Sequence, residues 1–183
     1  YDAKITKDKF NKVVEYYKKQ KLKVEEKTTL DIIFENKKTN YRITIDEDQI
    51  AKYSTTNKIT KEMVKEFLVK QKISDYKPLK IPSHNLKLNL KEERPVDDED
   101  LIKSLLSILS RSLKGYRHKK RISFIAKNYR VDLTIVRDYN NANPKSFVSN
   151  KTFSIKDILK EENYEIEVEV IKNDKITALE FSR

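Results

Sequence analysis

The most regular pattern of hydrophobic and polar positions runs from Tyr164 to Val170, where glutamates alternate with β-branched residues. Alternation with a period of two residues predicts a strand. Glu165, Glu167 and Glu169 then share one face of that strand, with neighbouring side chains roughly 6.6–7 Å apart. Because like charges along one face repel each other, we expect compensation by water and salt, by a divalent cation, or by facing lysines and arginines.

The remaining apolar positions predict a chain of mixed secondary structure. Apolar residues at helical spacing, preceded by capping residues, predict helices over residues 6–20, 46–53, 60–70 and 98–113. Alternating residues predict strands over residues 30–34, 41–45, 86–91, 117–126, 130–137 and 164–170. Between and after them we expect turns at 35–40 and 127–128, a polar loop at 139–150, a helical turn at 154–159 and a closing helix from 176. These elements predict one α+β domain with helices outside an antiparallel sheet.

The predicted strands each have one polar and one apolar face. Counting outward from a two-residue loop at 127–128 gives three pairs that share the polar face: Ser123–Asp132, Arg121–Thr134 and Arg117–Asp138. The opposite face carries the apolar pairs Ile122–Leu133 and Phe124–Val131. The same division recurs in strand 41–45, where Arg42 and Thr44 alternate with isoleucines.

Two architectures fit this division. In the first, the sheet has one solvated face and one face packed on helices. In the second, the sheet closes into an antiparallel β-barrel whose polar faces point inward and whose apolar faces are covered by helices. The second interpretation is favoured by the segregation of charge, because one strand is purely acidic while the hairpin and Arg42 are mostly basic. Across a lumen these charges would compensate each other and form a site for a metal and phosphate.

Composition changes this picture in three ways. The chain has 183 residues and a net charge of +11, which indicates one domain with a real core and an anionic partner. Lysine, asparagine and isoleucine are abundant, as in proteins of AT-rich genomes, and only eight of the 40 basic residues are arginines. Five arginines fall in or beside predicted strands, and arginine binds phosphate through two donors at once: Arg42, Arg117, Arg121, Arg130 and Arg137.

Several kinds of chemistry are excluded by the residues that the chain lacks. It has no cysteine, which rules out disulfides and thiolate metal sites and fits an intracellular setting. With one glycine, it has no glycine-rich phosphate loop, and no nucleophile set of the Ser-His-Asp or Cys-His type is present. The two histidines, His84 and His118, are predicted to lie at the surface. No apolar run is long enough to cross a membrane, so no membrane association is expected.

Three motifs occur in a fixed order along the strands: RxKxR at 117–121, RxDxTxV at 130–136 and ExExE at 165–169. Together they resemble the RNA 5′-triphosphatase domain of mRNA-capping enzymes in the triphosphate tunnel metalloenzyme family, in its giant-virus and protist or fungal form. Arg42 fits an earlier basic strand of that family, and Glu93 fits a strand end that carries another tunnel glutamate. The chain departs from the family in one respect, because Glu25 and Glu26 are adjacent and do not match its N-terminal ExE strand. We therefore expect residues 1–183 to be a single tunnel domain, and a fragment that lacks an upstream acidic strand.

The resemblance implies roles for the polar residues. It implies that Glu169 and Glu167 hold Mg²⁺ or Mn²⁺ and that Glu167 positions the attacking water. It implies that five basic side chains bind the triphosphate: Arg42, Arg117, Lys119, Arg121 and Arg130. Of these, it implies a catalytic role for Arg42, Lys119 and Arg121. It implies that a further set shapes the tunnel: Asp132, Thr134, Glu165 and Glu93. Arg130 also has the pattern of a strut that orients its neighbours.

Three functions remain open from the sequence. The first is metal-dependent removal of the γ-phosphate from 5′-triphosphate RNA, the first step of mRNA capping, with free nucleoside triphosphate as a further substrate. The second is a basic, non-catalytic RNA-binding module, which would place stacking aromatic residues on the polar faces, where none is predicted. The third is an interaction domain without catalysis. For the first function we expect linkage to guanylyltransferase and methyltransferase domains, and an intracellular, cytoplasmic location, in a viral factory or virion if the protein is viral.

Overall fold

The computed structural model describes residues 5–71, 79–81, 86–88, 92–140 and 161–171. Three α-helices span Lys7–Lys18 (α1), Glu47–Thr56 (α2) and Glu99–Ser112 (α3). Nine strands span Lys23–Asn36 (β1), Thr39–Asp46 (β2), Glu66–Gln71 (β3), Leu79–Ile81 (β4), Leu86–Leu88 (β5), Glu92–Pro95 (β6), Leu113–Ile125 (β7), Tyr129–Asn140 (β8) and Asn163–Val170 (β9). The predicted α+β class is confirmed.

The helices begin where capping residues predict them. The Thr6 hydroxyl accepts a hydrogen bond from the backbone N–H of Lys9 (3.4 Å) at the start of α1. Asp98 accepts two backbone N–H groups at the start of α3, whose first turn carries acidic residues at the positive end of the helix dipole. Asp46 precedes α2 without forming a side-chain cap, because its carboxylate pairs with Lys65 instead.

The predicted helix over residues 60–70 is wrong. Only Lys61–Met63 forms a single 3₁₀ turn, and β3 follows from Glu66. The apolar residues that suggested a helical stripe are used differently: Met63 and Phe67 are buried in the core, while Phe67 pairs with Ile43 of β2. Hydrogen bonding on both sides, to β2 and to β6, outweighs the local helical pattern.

Strand β1 is longer than the sequence predicts. The predicted strand 30–34 begins seven residues earlier, at Lys23. It turns into β2 through Lys37 and Lys38, which both have positive φ angles of 49° and 65°. Two left-handed residues are typical of the tight turn that joins twisted antiparallel strands.

Seven strands form one antiparallel sheet in the order β6-β3-β2-β1-β7-β8-β9, and β4 pairs with β5 separately. The predicted hairpin register is confirmed by contacts. The backbone N–H of Ala126 donates to the carbonyl of Tyr129 (2.9 Å), as a loop at 127–128 requires. Three side-chain contacts follow the predicted pairs: Ser123–Asp132, Arg121–Thr134 and Arg117–Asp138.

The chain divides into two compact units, each with its own hydrophobic core. The first unit comprises residues 1–3, 29–118 and 137–161. In its core, the apolar faces of β1 and β2 pack against buried residues of α2 and α3. This core includes Phe34, Ile43, Tyr53 and Leu105. The hydroxyls of Tyr53 and Tyr116 share a buried hydrogen bond (2.9 Å), and burial raises the pKa of both phenols.

The second unit comprises residues 4–28, 119–136 and 162–183. Helix α1 packs Phe10 against Tyr164 of β9 (ring centroids 5.1 Å apart) and Tyr17 against Phe124 of β7 (5.4 Å). This contact covers the apolar face of the β7–β9 strands, which leaves the alternate residues of those strands on a separate polar face.

Two expectations change on this evidence. Within the described residues the sheet is open, with β6 and β9 as its edge strands, so the predicted closed barrel is not observed there. His118 was predicted at the surface, but it is 6% exposed, because its side chain falls on the covered side of β7. His84, residues 89–91 and all elements predicted between 141 and 160 or after 171 lie outside the described residues.

Candidate functional site

The polar face of the second unit is built by the pairing of β8 with β9. The register places Arg130 opposite Glu169, Asp132 opposite Glu167, and Thr134 opposite Glu165. The predicted glutamate strand is therefore confirmed, and its acids meet the RxDxTxV motif residue by residue. One of these pairs joins two carboxylates, and directly opposite like charges destabilise a sheet unless a cation lies between them.

Asp132 is the buried centre of this face, with 2% of its surface exposed. Its Oδ1 accepts a hydrogen bond from the Ser123 hydroxyl (2.6 Å). Its other oxygen lies 3.2 Å from Nη1 of Arg121, and Nε of Arg130 donates to the same carboxylate (3.1 Å). A buried carboxylate with three donors holds those donors in fixed positions, as the strut interpretation of this motif expects.

Arg121 bridges the two opposed carboxylates. Its Nη1 contacts Asp132, its Nη2 lies 3.6 Å from Oε2 of Glu167, and its Nε donates to the Thr134 hydroxyl (3.2 Å). One guanidinium therefore uses three nitrogens on three acceptors, which a lysine ammonium cannot do in the same geometry. The bridge accounts for how Asp132 and Glu167 can lie opposite each other.

Arg130 compensates the next glutamate. Its Nη2 lies 2.5 Å from Oε2 of Glu169. Glu25 of β1, which the sequence analysis set aside because it is adjacent to Glu26, lies close enough to interact with Arg130. A hydrogen bond from Lys23 is the main cause that lowers the pKa of its carboxyl group. Glu25 lies an even number of residues before Asp31, so extending the strand back from Leu30 would have placed both side chains on one face.

Lys119 is a further cation of the β7–β9 strands and lies on the same face of β7 as Arg121. It is buried, with 9% of its surface exposed. Glu167 and Glu169, in contrast, have side chains that are 59% and 63% exposed. The glutamates are thus compensated by arginines of the neighbouring hairpin and remain accessible from solvent.

The first unit contains a second group of predicted site residues. Nη2 of Arg42 lies 2.7 Å from Glu93 and 3.5 Å from Glu66, and Arg117 donates through Nε to Asp138 (2.8 Å). The structure therefore brings Glu93 and Arg42 together.

Asp31 of β1 is an acid that sequence reasoning missed. It is 2% exposed and accepts a hydrogen bond from the Thr44 hydroxyl (2.9 Å), which lies opposite it on β2. Its strand was recognised only by its apolar residues, so the polar residues between them were overlooked. Asp31 and Arg42 both occupy the polar faces of their strands, since each alternates with core isoleucines.

The carboxylate oxygens of this site are ligands of the type that a hard divalent cation prefers, but they do not form a closed cage around one point. Among the described residues, no group of three or more Asp, Glu or His side chains converges on one point. Mg²⁺ keeps several waters and is usually bound by one or two carboxylates together with substrate phosphates. Glu167 and Glu169 offer two accessible carboxylates on one strand face, which suits this mode of binding.

We expect Asp132→Ala to lower the free energy of unfolding of the chain by about 1–3 kcal/mol, because it removes the buried acceptor shared by the Ser123 hydroxyl and two partly exposed arginines. The matched control is Asp138→Ala, which removes a more exposed ion-pair partner and should cost at most about 1 kcal/mol. Denaturant titration monitored by circular dichroism measures both. Equal losses for the two variants would contradict the central position of Asp132.

The sequence model of the family described as "mRNA capping enzyme, beta chain" matches residues 2–181. The chain belongs to this family. The resemblance read from the three motifs, to the RNA triphosphatase domain of mRNA-capping enzymes, is thereby confirmed. No curated protein matches the chain significantly in sequence.

Solved structures show the same fold. The mimivirus capping enzyme triphosphatase is 21% identical, with a TM-score of 0.67 over 98% of this chain and 82% of that one. The RNA triphosphatase domain of a trifunctional mimivirus mRNA capping enzyme is 23% identical, with a TM-score of 0.64 over 97% and 80% of the two chains. The S. pombe Pct1 RNA triphosphatase is 14% identical, with a TM-score of 0.57 over 92% and 55%.

Within the described residues no helix is both long and apolar enough to cross a membrane.

Proposed function

We propose that this domain is a metal-dependent RNA 5′-triphosphatase that performs the first step of mRNA capping. The observation that carries the proposal is the polar face of the second unit, where Arg121 and Arg130 hold the accessible carboxylates of Glu167 and Glu169. The phosphates of a triphosphate would replace the carboxylates as partners of the arginines. A divalent cation would replace the arginines as partner of the carboxylates. Membership of the capping-enzyme family supports the same function.

In the proposed reaction, the oxygen of a water molecule attacks the γ-phosphorus. The bond from that phosphorus to the oxygen bridging it to the β-phosphorus breaks, which leaves diphosphate-ended RNA and inorganic phosphate. Glu167 orients the attacking water through its carboxylate, and Arg121 and Lys119 bind the oxygens on which negative charge collects. Mg²⁺ or Mn²⁺, held by Glu169 and Glu167 when bound, supplies neutralising charge at the γ-phosphate.

The remaining predicted residues have supporting roles in this proposal. Arg130, Arg42 and Arg117 add cations for the triphosphate, and Asp132 with Thr134 fixes the direction of the Arg121 guanidinium. Glu165 shapes the polar face of the second unit, and Glu93 holds Arg42 in the first unit. We infer from the family resemblance that the sheet curves into a tunnel barrel, with the buried Lys119, Ser123 and Asp132 towards its interior and the exposed Glu167 and Glu169 on the edge strand β9.

The substrates we infer are 5′-triphosphate RNA and free nucleoside triphosphate. One of the similar structures comes from a trifunctional capping enzyme, and we extend this to a link between our chain and guanylyltransferase and methyltransferase domains. The cytoplasm, or a viral factory or virion, is the location we propose for this activity.

The chain should release inorganic phosphate from triphosphate-ended RNA only when Mg²⁺ or Mn²⁺ is added, because the carboxylates alone cannot neutralise the γ-phosphate. Phosphate release is followed by a colorimetric assay during titration with each metal, and excess chelator is then added. Turnover that persists in chelator would contradict the proposed metal dependence. RNA with a 5′-monophosphate is the control substrate and should release nothing.

A further inference from the structure

Two exposed aromatic residues of the second unit lie on α1 and next to the β7–β8 turn. Tyr16 on α1 is 59% exposed, and Tyr129 at the start of β8 is 38% exposed. The ring of Tyr17 meets that of Tyr16 edge-on (5.1 Å) and stacks on buried Phe124, which anchors Tyr16 to the core. Burial raises the pKa of the Tyr17 phenol, and the nearby Tyr129 and Tyr16 raise it further. Tyr129 lies opposite Ala126, two residues along β7 from Phe124, so it is on the side of these strands that α1 covers.

Exposed lysines lie on the same two parts of the chain as these tyrosines, the α1 stripe and the β7–β8 turn. Lys9, Lys12 and Lys19 occur at spacings of three and four residues along α1 with Tyr16, so all four share one exposed stripe of the helix. Lys127, in the turn before Tyr129, is also exposed. Single exposed tyrosines are ordinary on protein surfaces. Here two exposed tyrosines occur together with four exposed lysines. Single-stranded nucleic acid binds to this combination, because its bases stack on flat rings and its phosphates contact ammonium groups.

We propose that this tyrosine–lysine surface, formed by Tyr16, Tyr129, Lys9, Lys12, Lys19 and Lys127, binds the first nucleotides of the RNA strand behind its 5′ end. Bases stack on the two tyrosine rings and the lysines contact the phosphates. The proposal rests on the proposed function for its choice of RNA as the ligand. It also accounts for the lack of aromatic residues among those polar-face residues of this unit that the structure describes, since stacking takes place outside that face.

The connection between the two surfaces is a single peptide bond. Tyr129 precedes Arg130, and successive side chains of a strand point to opposite faces. Arg130 lies on the polar face in contact with Asp132 and Glu169, while Tyr129 lies on the other face beside the turn. Both residues lie beside the β7–β8 turn, so an RNA strand that leaves the polar face at Arg130 reaches Tyr129 by passing around this turn rather than through the sheet.

The test measures binding of a 3′-labelled RNA 12-mer with a 5′-hydroxyl end by fluorescence anisotropy, at one fixed ionic strength. Without a triphosphate, this probe does not depend on the polar face. We expect Tyr16→Ala and Tyr129→Ala each to weaken binding about tenfold, and the corresponding phenylalanine variants to restore it, because the ring is kept. Lys12→Ala with Lys19→Ala should reduce the slope of log affinity against log salt by about 1.4.

Matched controls come from exposed residues of the first unit. Leu101→Ala removes a similarly exposed apolar side chain, and Lys52→Ala with Lys58→Ala removes two exposed charges; both should leave the affinity for the 12-mer within twofold of the wild type. If the tyrosine variants bind the 12-mer as tightly as the wild type, the proposal is overturned, and the surface is left for a protein partner. If they lose no more affinity than these controls, it is equally overturned.

The outcome is separable from that of the proposed function. All surface variants should hydrolyse free nucleoside triphosphate at the wild-type rate, because none of the changed side chains contacts the carboxylate–arginine pairs. A chain that hydrolyses no triphosphate, yet loses RNA binding in the tyrosine variants, would refute the triphosphatase and support the surface. A chain with full hydrolysis and unchanged binding in those variants would do the reverse.

Discussion

Arg121→Lys is expected to lower the turnover of triphosphate-ended RNA by roughly 10²–10³-fold, the loss typical of removing one preorganised donor to developing charge. The structure gives the reason. The guanidinium of Arg121 contacts Asp132, Glu167 and Thr134 through separate nitrogens, and this three-way support fixes its direction. A lysine ammonium keeps the charge but loses the planar fork, so the donors no longer meet the phosphate oxygens together.

The control for this variant is Arg111→Lys, at an exposed position in the last turn of α3, which should leave turnover unchanged. General RNA affinity should change little in Arg121→Lys, because the net charge is kept. Lys37→Ala with Lys38→Ala should act in the opposite way, weakening salt-sensitive RNA binding while free nucleoside triphosphate is hydrolysed normally. If Arg121→Lys keeps full activity, or if both sets of variants change binding and hydrolysis in parallel, the assignment of Arg121 is wrong.

Glu169→Gln is expected to lower metal-dependent turnover by at least about 10²-fold and yet to bind inorganic triphosphate without metal at least as tightly as the wild type. In the free protein the Glu169 carboxylate holds Arg130 at 2.5 Å. Metal binding to Glu169 and phosphate binding to Arg130 each break this pair, so each ligand should favour the other, and the coupling must be reciprocal. The glutamine cannot hold the cation electrostatically, but it frees the arginine.

Isothermal titration calorimetry of inorganic triphosphate, with and without Mg²⁺, measures this coupling independently of turnover. The wild type should bind more tightly with Mg²⁺ present, and Glu169→Gln should have lost most of that difference. Stability should change by at most about 1 kcal/mol, because the pair is exposed. Glu26→Gln, an exposed glutamate of the same unit, is the matched control. An unchanged metal effect in Glu169→Gln would rule out Glu169 as a ligand.

The sequence predicts the hairpin and the glutamate strand well, because two-residue periodicity determines which residues share a face. Once the loop at 127–128 is chosen, the partners of Asp132 and Thr134 follow by counting. The pairing of β8 with β9 could not be counted in this way, because the connecting segment is long and fixes no register. The bridge from Arg121 to Glu167 and the pair between Arg130 and Glu169 therefore came only from the structure.

The missed elements have local sequences without a decisive period. Residues 63–68 place Met63 and Phe67 four apart, which matches a helix as well as a turn followed by a strand. The first third of β1, from Lys23, has no alternating apolar residue beyond Val24, and its membership of a sheet depends on neighbouring strands. Asp31 was overlooked and Glu25 was set aside for that reason, since the face on which each side chain lies is known only when the whole strand is known.

The central claim, that this chain removes the γ-phosphate of RNA, is tested most directly with RNA labelled at either the γ- or the β-phosphate. With Mg²⁺ or Mn²⁺ present, we predict release of the γ-label as inorganic phosphate while the β-label stays on a diphosphate-ended RNA. Thin-layer chromatography separates these products. Release of the β-label, in phosphate or pyrophosphate, or retention of the γ-label at every concentration of both metals, would contradict the account.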